Sequence, residues 1–183
     1  CHSRPRLRGN DRKSVKCVSH KDMIIVSKLE LLKKLAQVKK ASQKLAVSAI
    51  RKRNLALLEI AKTLKQNQVE ILQANQKDLD KLQTKDPLRE RLFLTKERLK
   101  NIISDIKTIA KLPDPLNQVL EQKTLKNGLK LKKITMPFGV IGVIYESRPN
   151  VTVDVVCLCL KAGNAVILKG GEEARYSNQI LAG

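Results

Sequence analysis

Residues 137–178 read PFGVIGVIYESRPNVTVDVVCLCLKAGNAVILKGGEEARYSN, and the apolar spacing of this stretch decides the fold. From 140 to 145 the chain is short, apolar and β-rich, with Gly139 and Gly142 as punctuation. Such a run predicts a strand buried on both faces. Residues 146–150 break it with a polar turn ending in Pro149 and Asn150. Between 151 and 161 the apolar residues Val153, Val156, Cys157 and Leu160 fall at helical spacing. Ala162, Gly163 and Asn164 stop that helix, and 165–168 form a second apolar strand. Lys169, Gly170 and Gly171 follow, and then a polar segment that opens another helix. Strand, helix, strand in this order is a βαβ unit with a parallel sheet. Ligands of such sheets sit at the carboxyl ends of the strands, here 145–150 and 169–173.

Upstream of this unit, 128–136 alternate: Leu129, Leu131 and Ile134 against Lys130, Lys132, Lys133 and Thr135. Period two predicts a half-exposed strand. Asn127-Gly128 before it is a hairpin signal, which makes Leu125 and the residues before it the partner strand. Further back the period becomes helical. Leu29, Leu32, Leu35 and Val38, then Leu45 and Ala46, make one apolar stripe within 24–72, and Leu57, Ile60, Ala61, Leu64 and Ile71 another. Asn75 and Asp78 favour a turn between helices. Pro87 suits a helix start, and Leu88, Leu92, Leu99, Ile102, Ile103, Ile106 and Ile109 continue the pattern. Pro113-Asp114-Pro115 ends it. The expected fold class is therefore α/β: amphipathic helices with their lysines in solvent, followed by the first βαβ part of a Rossmann-like parallel sheet. A two-stranded parallel piece is short of the usual sheet, so the chain reads as the front part of something larger.

The first 22 residues have a different character, with seven basic residues against two acidic ones and almost no apolar periodicity. No apolar core follows them, so they are not a secretory signal. They read as a basic disordered tail or a spurious extension, with Met23 as the natural start and 23–183 as the folded part. The only spacing that hints at a metal, Cys1 and His2 with Cys17 and His20, lacks the close pairs of a zinc site, and no metal is expected.

The chain holds 37 Lys and Arg against 17 Asp and Glu, a formal net charge of +20. That invites a nucleic-acid partner. Against it, the basic residues spread over helical faces and aromatics are only 2%, so base-stacking platforms are nearly absent. A Lys-rich solvated surface is the simpler reading, and no nucleic-acid partner is expected. Cysteine usage has no disulfide pattern, which points to a cytoplasmic protein, and no apolar run is long enough to span a membrane.

From about residue 29 onward the chain resembles the γ-glutamyl phosphate reductases, also called glutamate-5-semialdehyde dehydrogenases, of the aldehyde dehydrogenase superfamily. The residues that carry the resemblance are Asn75-Gln76-Lys77-Asp78, Leu94-Thr95 with Arg98-Leu99, Asp114-Pro115, Gly128-Leu129, and above all GVIGVIYESRPNVTVDVVCLCLKAGNAVILKGG from 139 to 171. The resemblance implies the N-terminal part of an NADP-binding, Rossmann-like domain in an incomplete aldehyde dehydrogenase-like fold, and an oligomer for the complete protein. It also implies a reaction: L-glutamyl 5-phosphate is reduced with NADPH to glutamate 5-semialdehyde and phosphate, a step of proline biosynthesis. In that chemistry a thiolate displaces phosphate and the resulting thioester accepts hydride, which splits one hard step into two.

By the resemblance the nucleophilic cysteine is expected beyond residue 183. Cys157 and Cys159 lie on the crossover helix, where burial makes a thiol inert. The loop closing the first strand, with Ile144, Tyr145 and Glu146, is expected to pass its backbone against the cofactor. Arg148 or Asn150 is the candidate for the oxyanion or substrate side, since guanidinium pairs with phosphate or carboxylate. Lys169, Gly170 and Gly171 are expected at the adenosine ribose, where relatives often carry Arg in place of Lys169. Glu172 joins the cofactor-binding set, but a carboxylate there suits ribose hydroxyls and repels a 2′-phosphate, which sets NAD against NADP. The run 139–142 is not the six-residue dinucleotide fingerprint. The alternative class is a basic nucleotide- or nucleic-acid-binding module without catalysis.

Overall fold

A computed structural model of the 183-residue chain describes residues 20–146 and 148–182, with side chains from residue 32 onward. The chain divides into two units, Cys1–Leu35 and Ala36–Gly183. Of the first unit the structure describes the opening of helix α1, which runs His20–Ala46. The stretch 1–19, with Cys1, His2 and Cys17 of the metal spacing, lies outside the described residues. Leu32 and Leu35, expected on a buried stripe, are exposed. The period is right for a helix, but no described residue of that unit covers the stripe.

The second unit holds the remaining elements. Helices α2 (Ile50–Gln66), α3 (Gln68–Leu79), α4 (Pro87–Leu92) and α5 (Lys96–Lys111) precede a hairpin, β1 (Val119–Thr124) with β2 (Lys130–Ile134). Then come β3 (Val140–Ile144), α6 (Pro149–Lys161), β4 (Ala165–Lys169), a 3₁₀ turn at Glu172–Ala174 and α7 (Arg175–Ala182). The helical stripes break where local hydrogen bonding competes with the helix. Asp86 caps α4 through Leu88 N–H (2.8 Å), and Thr95 caps α5 through Arg98 N–H (3.0 Å). The caps divide what the spacing alone joined into one stripe from Leu88 to Ile109.

Asn75 and Asp78 do not form a turn. They lie within α3 and are buried, at 1% and 0% exposure. Their side chains serve distant backbone instead. Asn75 Oδ1 accepts from Leu94 N–H (2.9 Å), and its Nδ2 donates to Leu92 C=O (2.9 Å) and Ser177 Oγ (3.1 Å). Asn75 thus satisfies the chain break between α4 and α5, where no helix can.

The main core gathers Leu57, Ala61 and Leu64 of α2, Ile71 of α3, Leu99, Ile102 and Ile106 of α5, and Val153 and Cys157 of α6. Two basic residues, Arg53 and Lys161, enter this region, where a Lys-rich solvated surface was expected. Arg53 donates to Lys161 C=O (2.7 Å) and to both carboxylate oxygens of Asp114 (2.9 and 2.7 Å). Lys161 Nζ donates to Asn54 Oδ1 (2.9 Å), Ala110 C=O (3.1 Å) and Leu112 C=O (2.6 Å). Buried cations of this kind are tolerated where most of their donors are met, and here only Arg53 Nε, among the described residues, is buried without a partner. Lys161 therefore fastens the end of α6 to α2 and to the end of α5.

The hairpin is antiparallel, with Leu125 accepting from Gly128 N–H (2.9 Å) and Gly128 at φ +86°. That conformation suits glycine. Both of its strands are exposed throughout, where a half-buried strand was expected. Among the described residues nothing covers its apolar face.

β3 and β4 pair in parallel, Val140 with Ala165 through Ile144 with Lys169. The βαβ unit is present as the sequence predicts, with one change of boundary and one of burial. α6 starts at Pro149, a favoured first helical position, so Asn150 is helical and not part of the turn. β3 is half-buried, not enclosed on both faces, and Ile144 is 85% exposed. One partner strand and one packed helix cannot enclose it. Among the described residues no helix is long and apolar enough to cross a membrane.

Candidate functional site

The register of β3 and β4 brings their carboxyl ends to one side. Ile144 lies opposite Lys169, and Tyr145 N–H donates to Lys169 C=O (3.1 Å), extending the ladder one residue past β3. The chain leaving β3 passes Glu146 and reaches Arg148, the N-cap of α6. The chain leaving β4 passes Gly170 and Gly171 into the 3₁₀ turn.

Two cavities flank these tips. One, of about 400 Å³, is lined by Ile144, Tyr145, Glu146, Lys169, Gly170, Gly171, Glu173 and Leu88. The other, of about 560 Å³, is lined by Arg148, Pro149, Asn150 and Asp154 from the start of α6, and by residues of α4, α5 and the segment joining them. The structure thus brings six of the seven expected cofactor residues to one cavity and places Arg148 and Asn150 together at the second. The seventh, Glu172, is not on the first cavity wall. It is exposed and paired with Arg175 (3.1 Å), and Glu173 lines the cavity instead. Adjacent carboxylates of one short turn point apart, which sequence spacing does not resolve.

Tyr145, on the wall of the first cavity, is held by two polar side chains outside its lining. Tyr145 Oη lies 2.6 Å from Thr152 Oγ1, and Thr152 donates to Asn178 Oδ1 (2.9 Å). These join the end of β3, α6 and α7. A Cβ at Gly170 would run into the Asn178 amide and lie 3.2 Å from Tyr145 Cζ, so no side chain fits there. Lys169 is exposed, its Nζ 3.2 Å from Gly170 C=O. A seat with bare backbone on one side and an exposed ammonium on the other can take the ribose and phosphate of a nucleotide. Its lining also carries Glu146 and Glu173, which favour hydroxyl donors over added phosphate.

In the second cavity Asn150 Nδ2 donates to Asp154 Oδ2 (3.4 Å) one turn along α6. An amide has a second N–H, which leaves Asn150 a donor for a ligand oxygen. Burial raises the pKa of Asp154 above the usual carboxylate range; the Asn150 hydrogen bond opposes this and the charge of Asp105 adds to it. Thr152, Asn178 and Asp154 were not expected from the sequence. Only the neighbourhood of Asp154 on the Asn150 face, four residues on, could have pointed to it.

Cys157 and Cys159 are buried and free. Burial, with a smaller effect of Asp154, pushes the Cys157 thiol up to about 12, and burial also raises Cys159. Neither lines either cavity. Among the described residues no cluster of His, Cys, Asp and Glu is arranged to hold a metal.

No protein-family model matches the chain. It is 50% identical over 151 residues to γ-glutamyl phosphate reductase from Chlorobium phaeobacteroides, covering 82% of this chain and 36% of that protein. Among solved structures, γ-glutamyl phosphate reductase from Thermotoga maritima superposes with a TM-score of 0.80 at 38% identity, over 83% of this chain and 37% of that one. An NAD-dependent benzaldehyde dehydrogenase from Corynebacterium glutamicum shares the fold with a TM-score of 0.58 at 19% identity, over 79% of this chain and 31% of that one. The chain thus spans about a third of the length of the relatives it matches. Over about four fifths of its length the chain is thus similar in sequence and fold to γ-glutamyl phosphate reductases, and it shares its fold with an aldehyde dehydrogenase.

Proposed function

We propose that this chain supplies the nucleotide seat and part of the substrate cavity of an NADPH-dependent reduction of L-glutamyl 5-phosphate to glutamate 5-semialdehyde and phosphate, a step toward proline. The observation that carries the reading is the shared loop. Tyr145, Glu146 and Arg148 lead from a cavity bounded by Lys169 and Gly170 to one bounded by Arg148 and, at the start of α6, Asn150. One short connection that borders both cavities can orient a bound nucleotide relative to a bound acyl group.

In this reading the backbone at Gly170 and the ammonium of Lys169 hold the ribose end of a nicotinamide nucleotide. That nucleotide, when bound, supplies the hydride. Tyr145, locked by Thr152 and Asn178, keeps the loop in one position. Arg148 faces the acyl phosphate, whose charge a guanidinium matches in two places. Asn150 donates to the oxygen that gains charge as the carbonyl is attacked. No described cysteine is given the nucleophile's role, because a thiol near 12 is almost wholly protonated at neutral pH. NADP(H) is proposed as the nucleotide and self-association as a property of the longer enzyme, both from the family.

The test is a fluorescence titration of the chain with NADPH and, separately, NADH. Saturable NADPH binding that weakens in Lys169→Ala supports the reading. Binding of NADH in preference to NADPH would transfer the seat to NAD, with Glu146 and Glu173 as the reason. A single-stranded DNA titration with steep salt dependence, and no nucleotide binding, would favour the basic-module alternative.

A further inference from the structure

The run Asn75-Gln76-Lys77-Asp78 lines neither cavity, yet the side chains at its two ends are buried. Asn75 and Asp78 lie three apart on α3 and so share a face. Both reach Ser177 of α7, itself fully buried. The Asn75 amide donates to its hydroxyl (3.1 Å), and the Asp78 carboxylate accepts from its N–H (2.7 Å). The other two contacts of Asn75 go to Leu92 C=O and Leu94 N–H (2.9 Å each), the backbone groups on either side of Phe93. Both amide hydrogens and the carbonyl oxygen of Asn75 are therefore engaged. Aspartate has no donors and would bring a charge into the same buried place, and glutamine adds a methylene to a filled one.

Phe93 is the C-cap of α4, with extended backbone at φ −63° and ψ 117°, so its carbonyl has no place in a helix ladder. That carbonyl accepts from Arg98 Nη1 (2.6 Å), and Glu90 C=O accepts from the same nitrogen (3.2 Å). Glu90, Phe93, Leu94 and Arg98 all line the 560 Å³ cavity. The two bonds occupy Nη1 and leave the Nε and Nη2 donors of this exposed guanidinium for an anion. Asn75 thus stands behind the cavity wall, holding the backbone that in turn holds Arg98.

We infer that Asn75 is a positioning residue: it fixes the Phe93 carbonyl, and through it presents the Arg98 guanidinium to an anionic group in the cavity, while Ser177 anchors the arrangement to α7. A guanidinium held before its ligand arrives loses less rotamer freedom on binding. The inference rests on the proposed function only for the cavity's being a ligand site. It gives roles to Asn75, Arg98 and Ser177, which that reading leaves without one.

The experiment follows the guanidinium nitrogen resonances of Arg98 by NMR in the chain and in Asn75→Ala, Ser177→Ala and Ile106→Val. The last thins the core further along α5 without removing a hydrogen bond, and so controls for lost stability alone. Rotation of the Arg98 guanidinium should be at least ~10-fold faster in Asn75→Ala, the scale of one net hydrogen bond. It should quicken by a smaller factor in Ser177→Ala and stay unchanged in Ile106→Val. Inorganic phosphate, titrated as the probe anion, should shift the Arg98 Nε resonance and bind at least ~3-fold more weakly in Asn75→Ala. If Asn75→Ala does not fold, Ser177→Ala, which removes a single hydroxyl, carries the test. Rotation as slow in the folded variants as in the chain, equal acceleration in Ile106→Val, or phosphate that leaves Arg98 unshifted each overturns the inference. The rotation needs no nucleotide, so a failed NADPH titration would count against the nucleotide seat and not against Asn75.

Discussion

The carboxylate of Asp78 accepts the backbone N–H groups of Tyr176 (3.1 Å) and Ser177 (2.7 Å), residues 98 and 99 positions further along the chain. A side chain from the last turn of α3 therefore caps the first turn of α7. It also positions Asn178, next in sequence, which accepts from Thr152 behind the Tyr145 contact at the strand tips. Asp78→Ala should destabilise the fold by about 3 kcal/mol, combining a lost helix cap with unsatisfied buried N–H groups. Asp78→Asn, which keeps an acceptor, should cost about half as much. Urea denaturation of the two variants checks the order.

How much of this was legible in the sequence divides by the range of the interaction. The βαβ unit is set by local apolar spacing, and it stands where the spacing put it. Asn75 and Asp78 were misread as a turn because their polarity is a local signal, and their partners lie 17 to 102 residues away. Burial of Arg53 and Lys161 was invisible for the same reason. A lysine's chemistry does not announce that Asn54, Ala110 and Leu112 will surround it. That the two strand tips border one cavity was legible from their place at the carboxyl ends of a parallel pair. Which carboxylate of the Glu172-Glu173 pair faces the cavity was not, because a short 3₁₀ turn has no reliable face.

Lys161 should leave a signature in the pH dependence of stability. Burial lowers its pKa from the ordinary lysine value; Asp114 opposes the shift and Arg53 adds to it. The unfolded chain then binds the proton more tightly than the folded one. Stability from this residue accordingly rises with pH between the lowered folded value and the ordinary one. Lys161→Met should abolish that rise while costing about 2–4 kcal/mol near neutrality, where its acceptors lose their donor. Denaturation midpoints of both proteins from pH 7 to 10.5 separate this residue from the general relief of positive charge, which both share.

Cys157 should be almost unreactive in the folded chain. A thiol near 12 carries about a thousandfold less thiolate at pH 8 than one near 9, and burial slows access further. Brief alkylation at pH 8 followed by peptide mass spectrometry should leave Cys157 unlabelled, and the same treatment in denaturant should label it fully. Rapid labelling in the folded state would contradict the packing of α6.

Gly170→Ala should damage the seat without removing Lys169. The added methyl meets the Asn178 amide and the Tyr145 ring, so the loop must shift. Nucleotide affinity should drop by at least ~10-fold, on the order of 1.4 kcal/mol, while the far-ultraviolet circular dichroism stays unchanged. Gly171→Ala should matter less, because its added methyl meets only the flexible Glu173 carboxyl.

The most direct test is an NADPH titration of the chain followed at the backbone amides of Tyr145, Gly170 and Gly171. The account predicts saturable shifts at all three, with affinity reduced at least ~10-fold in Lys169→Ala, consistent with loss of a charge contact to phosphate. Shifts confined to the lysine-rich faces of the helices, or an affinity indifferent to Lys169, would contradict it.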